Sequence, residues 1–295
     1  MSAPRAFEHA QLRVNDLGAA LDFYLGPVGL VEIAREGGVV YLGCGLDENY
    51  DVALVGGGTG VEHFAILVSD EAELERHAAR LVGAGVRPER RDGREPGQEQ
   101  GLRFTLPTGH VMELVVAADC RYLVPSRPAR GARSGMTLVD VDHINLCSGD
   151  VRGLAEFLRD VLDFRFSDLI VLESGELFAA WTRYGQHHHD VAILPGSPAE
   201  TLHHLAWTCS SLDHMKLCCD LLSACGLRLE LGIGRHPVGS NLFAYFWDPG
   251  GNRSELTAEV ARLDPTTPTR VWSSPLETLD AWGEPVVPES FRRGS

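Results

Sequence analysis

His143, His204 and Glu255 have the side-chain types to hold a metal ion, and the sequence around each places it on a strand. The runs Asp142-His143-Ile144-Asn145-Leu146, His203-His204-Leu205-Ala206-Trp207 and Asn252-Arg253-Ser254-Glu255-Leu256-Thr257 alternate apolar and polar residues. Alternate residues of a strand share a face, so His143 looks out with Asn145, and His204 with Ala206 and Thr208. Two imidazoles and one carboxylate on separate strands form a facial triad that leaves positions open on the ion. That set suits non-haem Fe(II) that must bind two reactants together, and Mn(II) accepts the same donors. Taken singly, a strand histidine is more often a hydrogen-bonded structural residue than a ligand, and a glutamate is more often a solvated charge. What lifts these three above that reading is their place in a repeat.

A strand-like run carrying a histidine is written four times, at His9, His63, His143 and His204. Seven residues after each stands a residue type that caps helices: Asp16, Asp70, Asp150 and Ser211. Such side chains accept hydrogen bonds from the free N–H groups that open a helix, so each unit is expected to begin strand, cap, helix. In the third unit Val151, Leu154, Phe157, Leu158 and Val161 recur at three-to-four spacing, the stripe of a helix packed on a sheet. Gly26, Gly85 and Gly226 fall near the other helix ends, where a left-handed C-cap is expected. Strand-rich stretches follow, such as Val39-Val40-Tyr41-Leu42 and Leu177-Phe178-Ala179-Ala180-Trp181. Each unit reads as βα followed by several strands, the fold class is α+β, and four units pair naturally into two domains.

A chain of 295 residues has room for two domains, each with its own core. The expected division is an N-terminal domain over 1–120, a linker over 121–135, a C-terminal domain over 136–263 and a Pro-rich tail over 264–295. Pro125, Pro128, Gly131, Gly135 and four arginines break the periodicity in the linker. Trp272, Leu276, Leu279 and Trp282 give the tail apolar surface, so it is expected either disordered or lying over the second domain as a lid. The net charge of −15 and the lack of a basic run argue against nucleic acid or an anionic membrane as partner. No apolar run approaches a membrane span, and Met1-Ser2-Ala3-Pro4-Arg5 lacks a signal peptide's apolar core, so a cytoplasmic protein is expected. Seven cysteines, an odd number with the adjacent pair Cys218-Cys219 and no CxxC spacing, fit reduced thiols.

Gly234-Arg235-His236, followed by Ala244-Tyr245-Phe246-Trp247-Asp248-Pro249-Gly250-Gly251-Asn252-Arg253-Ser254-Glu255, resembles the carboxy-terminal signature of the type I extradiol ring-cleavage dioxygenases. That signature sets a tyrosine ten residues before the carboxylate ligand and a histidine nine before the tyrosine; both are present. The family belongs to the vicinal oxygen chelate superfamily, and the resemblance runs from about Ala6 to Glu259. It implies four βαβββ units paired into two domains, each a curved mixed sheet forming an incomplete barrel, with iron in the second domain on His143, His204 and Glu255. It also implies a distal histidine about fifteen residues before the second ligand and followed by Asp. That is His189 before Asp190, with His188 the second choice in the run His187-His188-His189. His189 would then move a proton, while His236 and Tyr245 would hold the catecholate oxygens. The implied activity is cleavage of a catechol by dioxygen beside its two hydroxyls, giving a yellow semialdehyde-type product, and the family commonly forms homo-oligomers. Trp181 and Asn145 match pocket residues of the homoprotocatechuate-cleaving branch. Five residues before His236 that branch carries an arginine where this chain has Leu231, which points to a neutral, alkyl- or aryl-substituted catechol.

The first half repeats the triad as His9, His63 and Glu113, with fifty residues from His63 to Glu113 against fifty-one from His204 to Glu255. Arg103 stands where the signature would put a tyrosine, and Leu54-Val55-Gly56-Gly57-Gly58 fills the place of the distal histidine. This first set is therefore expected to be vestigial. Two other classes fit the same fold. A metal-dependent lyase or epimerase of the glyoxalase kind needs neither His236 nor Tyr245, and a metal-free ligand-binding module leaves His143, His204 and Glu255 without a role.

Overall fold

The structure, a computed structural model, describes residues 6–118, 133–197 and 199–295. Most of the linker expected over 121–135 lies outside the described residues. Four βαβββ units follow one another. The first is β1 (Phe7–Val14), α1 (Leu17–Leu25), β2 (Val31–Glu36), β3 (Val39–Gly43) and β4 (Val52–Gly56). The second is β5 (Val61–Leu67), α2 (Glu71–Gly83), β6 (Glu89–Arg90), β7 (Gln98–Thr105) and β8 (Val111–Ala117). The third is β9 (Val141–Ser148), α3 (Val151–Leu162), β10 (Arg165–Val171), β11 (Leu177–Arg183) and β12 (Val191–Pro195). The fourth is β13 (Leu202–Thr208), α4 (Leu212–Ala224), β14 (Leu229–Arg235), β15 (Leu242–Trp247) and β16 (Arg253–Ala258). A short β17 (Arg270–Trp272) comes from the tail.

The caps stand where the spacing puts them. Asp16 accepts from the Ala19 amide at 3.0 Å, Asp70 from Glu73 at 2.9 Å, Asp150 from Gly153 at 2.8 Å and Ser211 from His214 at 3.1 Å. The helix ends are less uniform than expected. Gly85 and Gly226 take positive φ of 80° and 78° just beyond α2 and α4, whereas Gly26 closes α1 at φ −89° and so is not left-handed. Gly26 answers a different demand: a Cβ there would meet the Asp22 carbonyl oxygen at 2.6 Å. At the end of α3 the left-handed residue is Asp163, at φ 61°.

Strand order is β2-β3-β4-β1-β5-β8-β7-β6 in the first sheet and β14-β15-β16-β13-β9-β12-β11-β10-β17 in the second. Both are mixed and neither closes into a barrel. In each, the opening strands of two units meet antiparallel at the centre, β1 with β5 and β9 with β13, and each pairs in parallel with the last strand of its own unit. This arrangement brings residues from both units of a pair to one concave face. It also buries β9 along its whole length: Ile144 and Leu146 enter the apolar core while His143 and Asn145 turn to a cavity. The core itself is continuous across the two sheets, with Phe7, Leu12 and Phe64 in the same buried cluster as Ile144, Leu205 and Leu256. Polar ties reinforce the seam. Tyr24 donates to Asp248 at 2.6 Å, and Asp190 accepts from the amides of Ala6 and Phe7 at 2.9 and 3.1 Å.

The tail is ordered against the second sheet. β17 adds in parallel to β10, and Trp272 Nε1 donates to Asp168 at 2.5 Å. Short 3-10 turns at Pro275–Thr278 and Glu289–Arg292 then contribute lining residues to the cavity described below.

Candidate metal centre and its cavity

His143 on β9, His204 on β13 and Glu255 on β16 come together because these three strands are neighbours in the centre of the second sheet. Glu255 Oε2 lies 3.2 Å from His143 Nε2 and 3.0 Å from His204 Nε2, and the two ring nitrogens are 3.4 Å apart. All three side chains are buried, and their donor atoms converge on one point.

The surrounding hydrogen bonds aim the right atom of each ring inward. His143 Nδ1 sits 2.8 Å from Asp142 Oδ1, so the proton stays on Nδ1 when Nε2 gives up its own to bind a metal ion. His203 Nε2 donates to the Phe291 carbonyl at 2.9 Å, which leaves its Nδ1 to accept from His204 Nδ1 at 2.7 Å. His204 Nε2 is thereby left as a lone pair. Glu255 turns Oε1 to Asn241 Nδ2 at 3.2 Å and Oε2 to the imidazoles. Burial opposes the charge on Glu255, yet the bonds from His143 and His204 hold its carboxyl well below the usual range. Burial likewise opposes a charge on His143, but Asp142 and Glu255 lift it to about 9, while burial takes His204 down to about 4. The cluster thus favours positive charge amid its three donors, which a divalent ion supplies. Two imidazole nitrogens and one carboxylate oxygen, each oriented from behind, fit such an ion.

Above the triad opens a cavity of about 730 Å³. His189, His236, Tyr245 and Asn145 form its polar wall beside the triad, and Trp181, Ile170, Phe178, Leu194, Val238 and Leu276 line it with apolar surface. Tyr245 faces Glu255 across the β15–β16 pairing, and its hydroxyl lies 2.9 Å from His236 Nε2. His236 is stacked on Phe243 with ring centres 3.9 Å apart, and its Nδ1 donates to the Leu279 carbonyl at 2.6 Å. Burial pushes Tyr245 well above the usual phenol range, reinforced by Glu255, and pushes His236 down, so both are neutral near pH 7. Asn145 Oδ1 is buried without a hydrogen-bond partner, an acceptor turned to the cavity.

The histidine run does not continue a strand. It lies between β11 and β12, and its members diverge. His187 bonds Asp142 at 2.7 Å, His188 bonds Asp168 at 2.5 Å, and His189 enters the cavity with its ring centre 4.1 Å from that of His143. Burial, then the neighbouring His143, pushes His189 well below the usual imidazole range. Leu231 does not line the cavity: it packs in a cluster with Phe243 and Tyr245. Arg292 of the tail does line it. Asp142, Asn241 and the His188–Asp168 pair escaped the reading of the sequence. Only Asp142 left a signal there, as the acid before the histidine that also occurs in Glu8-His9 and Glu62-His63.

The first sheet gathers His9, His63 and Glu113 in the same way, with Glu95 as an unforeseen fourth member. Arg103 bonds both Glu113 and Glu95 there.

Comparison with known proteins agrees with this architecture. Residues 140–256 match the Glyoxalase/Bleomycin resistance protein/Dioxygenase superfamily, and residues 61–119 match the Catechol 2,3-dioxygenase-like N-terminal domain. The chain thus carries a glyoxalase/vicinal oxygen chelate domain behind a catechol 2,3-dioxygenase-like N-terminal domain. The relatives it resembles are extradiol dioxygenases. It is 26% identical to the metapyrocatechase of Geobacillus stearothermophilus over 300 residues, covering 96% of this chain and 90% of that one. The manganese-dependent 2,3-dihydroxybiphenyl 1,2-dioxygenase of Geobacillus genomosp. 3 is 26% identical over 263 residues, 85% of this chain and 84% of that one. Among solved structures, homoprotocatechuate 2,3-dioxygenase from Arthrobacter globiformis superposes with a TM-score of 0.86 at 29% identity, over 100% of this chain and 93% of that one.

Proposed function

We propose that the protein cleaves a catechol-type diol in the extradiol (meta) manner with dioxygen, at a non-haem Fe(II) centre held by His143, His204 and Glu255, giving a 2-hydroxymuconate-semialdehyde-type product. Mn(II) fits the same donors. The observation that carries this reading is the placement of His189, His236 and Tyr245 around the open side of the triad, at the inner end of the cavity. A glyoxalase-type reaction has no use for the His236–Tyr245 pair.

A divalent metal held by His143, His204 and Glu255 would supply Lewis-acid and redox chemistry for the diol and dioxygen. The protein manages the protons and the fit. His236 holds its own proton on Nδ1 against the Leu279 carbonyl, so Nε2 is a lone pair able to take a proton from an incoming hydroxyl. Tyr245, kept protonated by burial and Glu255, donates to negative charge on the adjacent oxygen. Asn145 Oδ1 accepts from a hydroxyl that is still protonated. On the other side, His188 gives Nε2–H to Asp168 and turns Nδ1 to His189 Nδ1 at 2.9 Å. His189 then carries its proton on Nδ1 and keeps Nε2 free to take and return a proton during ring opening. Trp181 and the apolar wall enclose the ring and exclude water, which favours a neutral alkyl- or aryl-substituted catechol over a carboxylated one.

A cytoplasmic homo-oligomer belongs to the same reading. Among the described residues no helix is long and apolar enough to cross a membrane, and six cysteines are free. Val271, Leu276, Trp282 and Val286 expose apolar surface on the tail, which supports self-association. The experiment is anaerobic loading with Fe(II), addition of a catechol panel that includes carboxylated members, and admission of air. Yellow product with stoichiometric oxygen uptake is expected; neither signal across the panel would defeat the reading.

A further inference from the structure

We propose that Arg103 serves the first sheet as a built-in cation in place of a metal ion, holding closed a His/His/carboxylate set that takes a divalent cation once the guanidinium is removed. The two sheets present the same scaffold. The rings of His9 and His63 lie 5.6 Å apart at 87°, and those of His143 and His204 lie 5.5 Å apart at 78°. Glu113 pairs in register with Ala65 on β5 as Glu255 pairs with Ala206 on β13. The difference stands opposite the carboxylate. Arg103 faces Glu113 across β7–β8 in the place that Tyr245 takes opposite Glu255 across β15–β16.

That one exchange changes what the cluster needs. Arg103 Nε bonds Glu113 Oε1, and its Nη2 reaches Glu95 Oε1 at 2.6 Å and His63 Nε2 at 3.2 Å. Gln98 bridges the other carboxylate oxygens, at 3.1 Å to Glu113 and 3.4 Å to Glu95, and the Tyr50 hydroxyl donates to Glu95. Two buried carboxylates are thus compensated by one guanidinium and two neutral donors, and no divalent ion is called for. Deleting the guanidinium leaves both carboxylates buried without an arginine or lysine partner among the described residues, at the focus of two imidazoles whose Nε2 atoms lie within 4.0 Å of carboxylate oxygens. Buried charge in that condition is costly, and a divalent ion with two imidazole and two carboxylate donors relieves it.

The test is independent of the dioxygenase reading, because it runs in a chain whose second-sheet triad is disabled by His204→Ala. After loading with Mn(II) and dialysis, that background is expected to hold no manganese by elemental analysis. Adding Arg103→Met is expected to raise the content to about one equivalent per chain, which His63→Ala then removes. Arg103→Lys, which keeps the charge, is expected to hold none. If Arg103→Met does not fold, Arg103→Gln keeps a hydrogen-bonding side chain without the charge and is read by the same measurement. The proposal is overturned if the His204→Ala chain already retains an equivalent that His63→Ala removes. It is equally overturned if a folded chain lacking the guanidinium retains none.

Discussion

His187 Nε2 lies 2.7 Å from Asp142 Oδ1, the same oxygen that accepts from His143 Nδ1 at 2.8 Å, while Asp142 Oδ2 accepts from Thr208 at 2.7 Å. A carboxylate fixed from three directions behind a candidate ligand sets that ligand's tautomer and raises its basicity. Asp142→Asn offers an amide in place of the acceptor and frees the ring to protonate on Nε2. Metal affinity of the variant, measured by competition with a chelating dye, is expected to fall by about 10–100-fold. The circular dichroism spectrum should stay unchanged, and unaltered affinity would sink the assignment.

The second member of the histidine run acts on the third. His188 is clamped between Asp168 and His189, and Trp272 of the tail holds Asp168 from the other side at 2.5 Å. Replacing His188 by Leu removes the acceptor that keeps the proton of His189 on Nδ1. Turnover is expected to fall by about 10–100-fold with KM and metal content retained, a smaller loss than the roughly 10²–10⁴-fold expected for His189→Asn. Equal losses from the two variants would mean that His188 itself enters the reaction.

The strand-cap-helix start of each unit was legible because it is local: seven residues separate each histidine from its cap, and the capping bond spans three more. The triad was legible because central strands of a duplicated sheet put equivalent positions side by side. Asp168 and Asn241 were not: Asp168 reaches the site from β10, and Asn241 from the segment between His236 and Tyr245, through contacts that leave no periodicity. Leu231 shows the limit of spacing alone. Five residues before His236 is a sound count, but the strand packs that side chain with Phe243 and Tyr245, and it is not in the cavity lining. Glu95 lay in a polar stretch with no apolar alternation, so nothing pointed it toward His63.

Glu73 joins the two halves and makes the seam sensitive to acid. Its carboxylate accepts from the Ser69 amide at 2.8 Å and from the Tyr184 hydroxyl, across the seam, at 2.7 Å. Burial opposes its charge, yet these bonds hold its pKa down at about 2. The unfolded chain protonates this carboxyl at the ordinary glutamate value, so the stabilisation is fully present above that value and is lost as pH falls through about 2. Glu73→Gln removes this contribution. Its Tm is expected to lie below that of the wild type at pH 6, with the gap closing toward pH 2; a constant gap would show that the bonds do not depend on the charge.

Arg253 ties the tail to the back of the metal centre. Its guanidinium is fully buried, pairs with Glu230 at 2.6 Å, and donates to the carbonyls of His203 at 3.0 Å, Ser290 at 2.8 Å and Arg293 at 2.7 Å. Those last two carbonyls bracket Phe291 and Arg292, which wall the cavity. Arg253→Met keeps much of the volume but strands Glu230, and breaking a buried pair from one side costs about 3–5 kcal/mol. Stability from urea unfolding is expected to drop by that order. Adding Glu230→Gln should recover part of the loss, because the unpaired charge is removed. Neither variant restores the donors to Ser290 and Arg293, so both should show faster limited proteolysis of the last residues and a higher KM with metal content unchanged. Recovery of KM by Glu230→Gln would mean that the charge, and not the tail's anchorage, shapes the cavity wall.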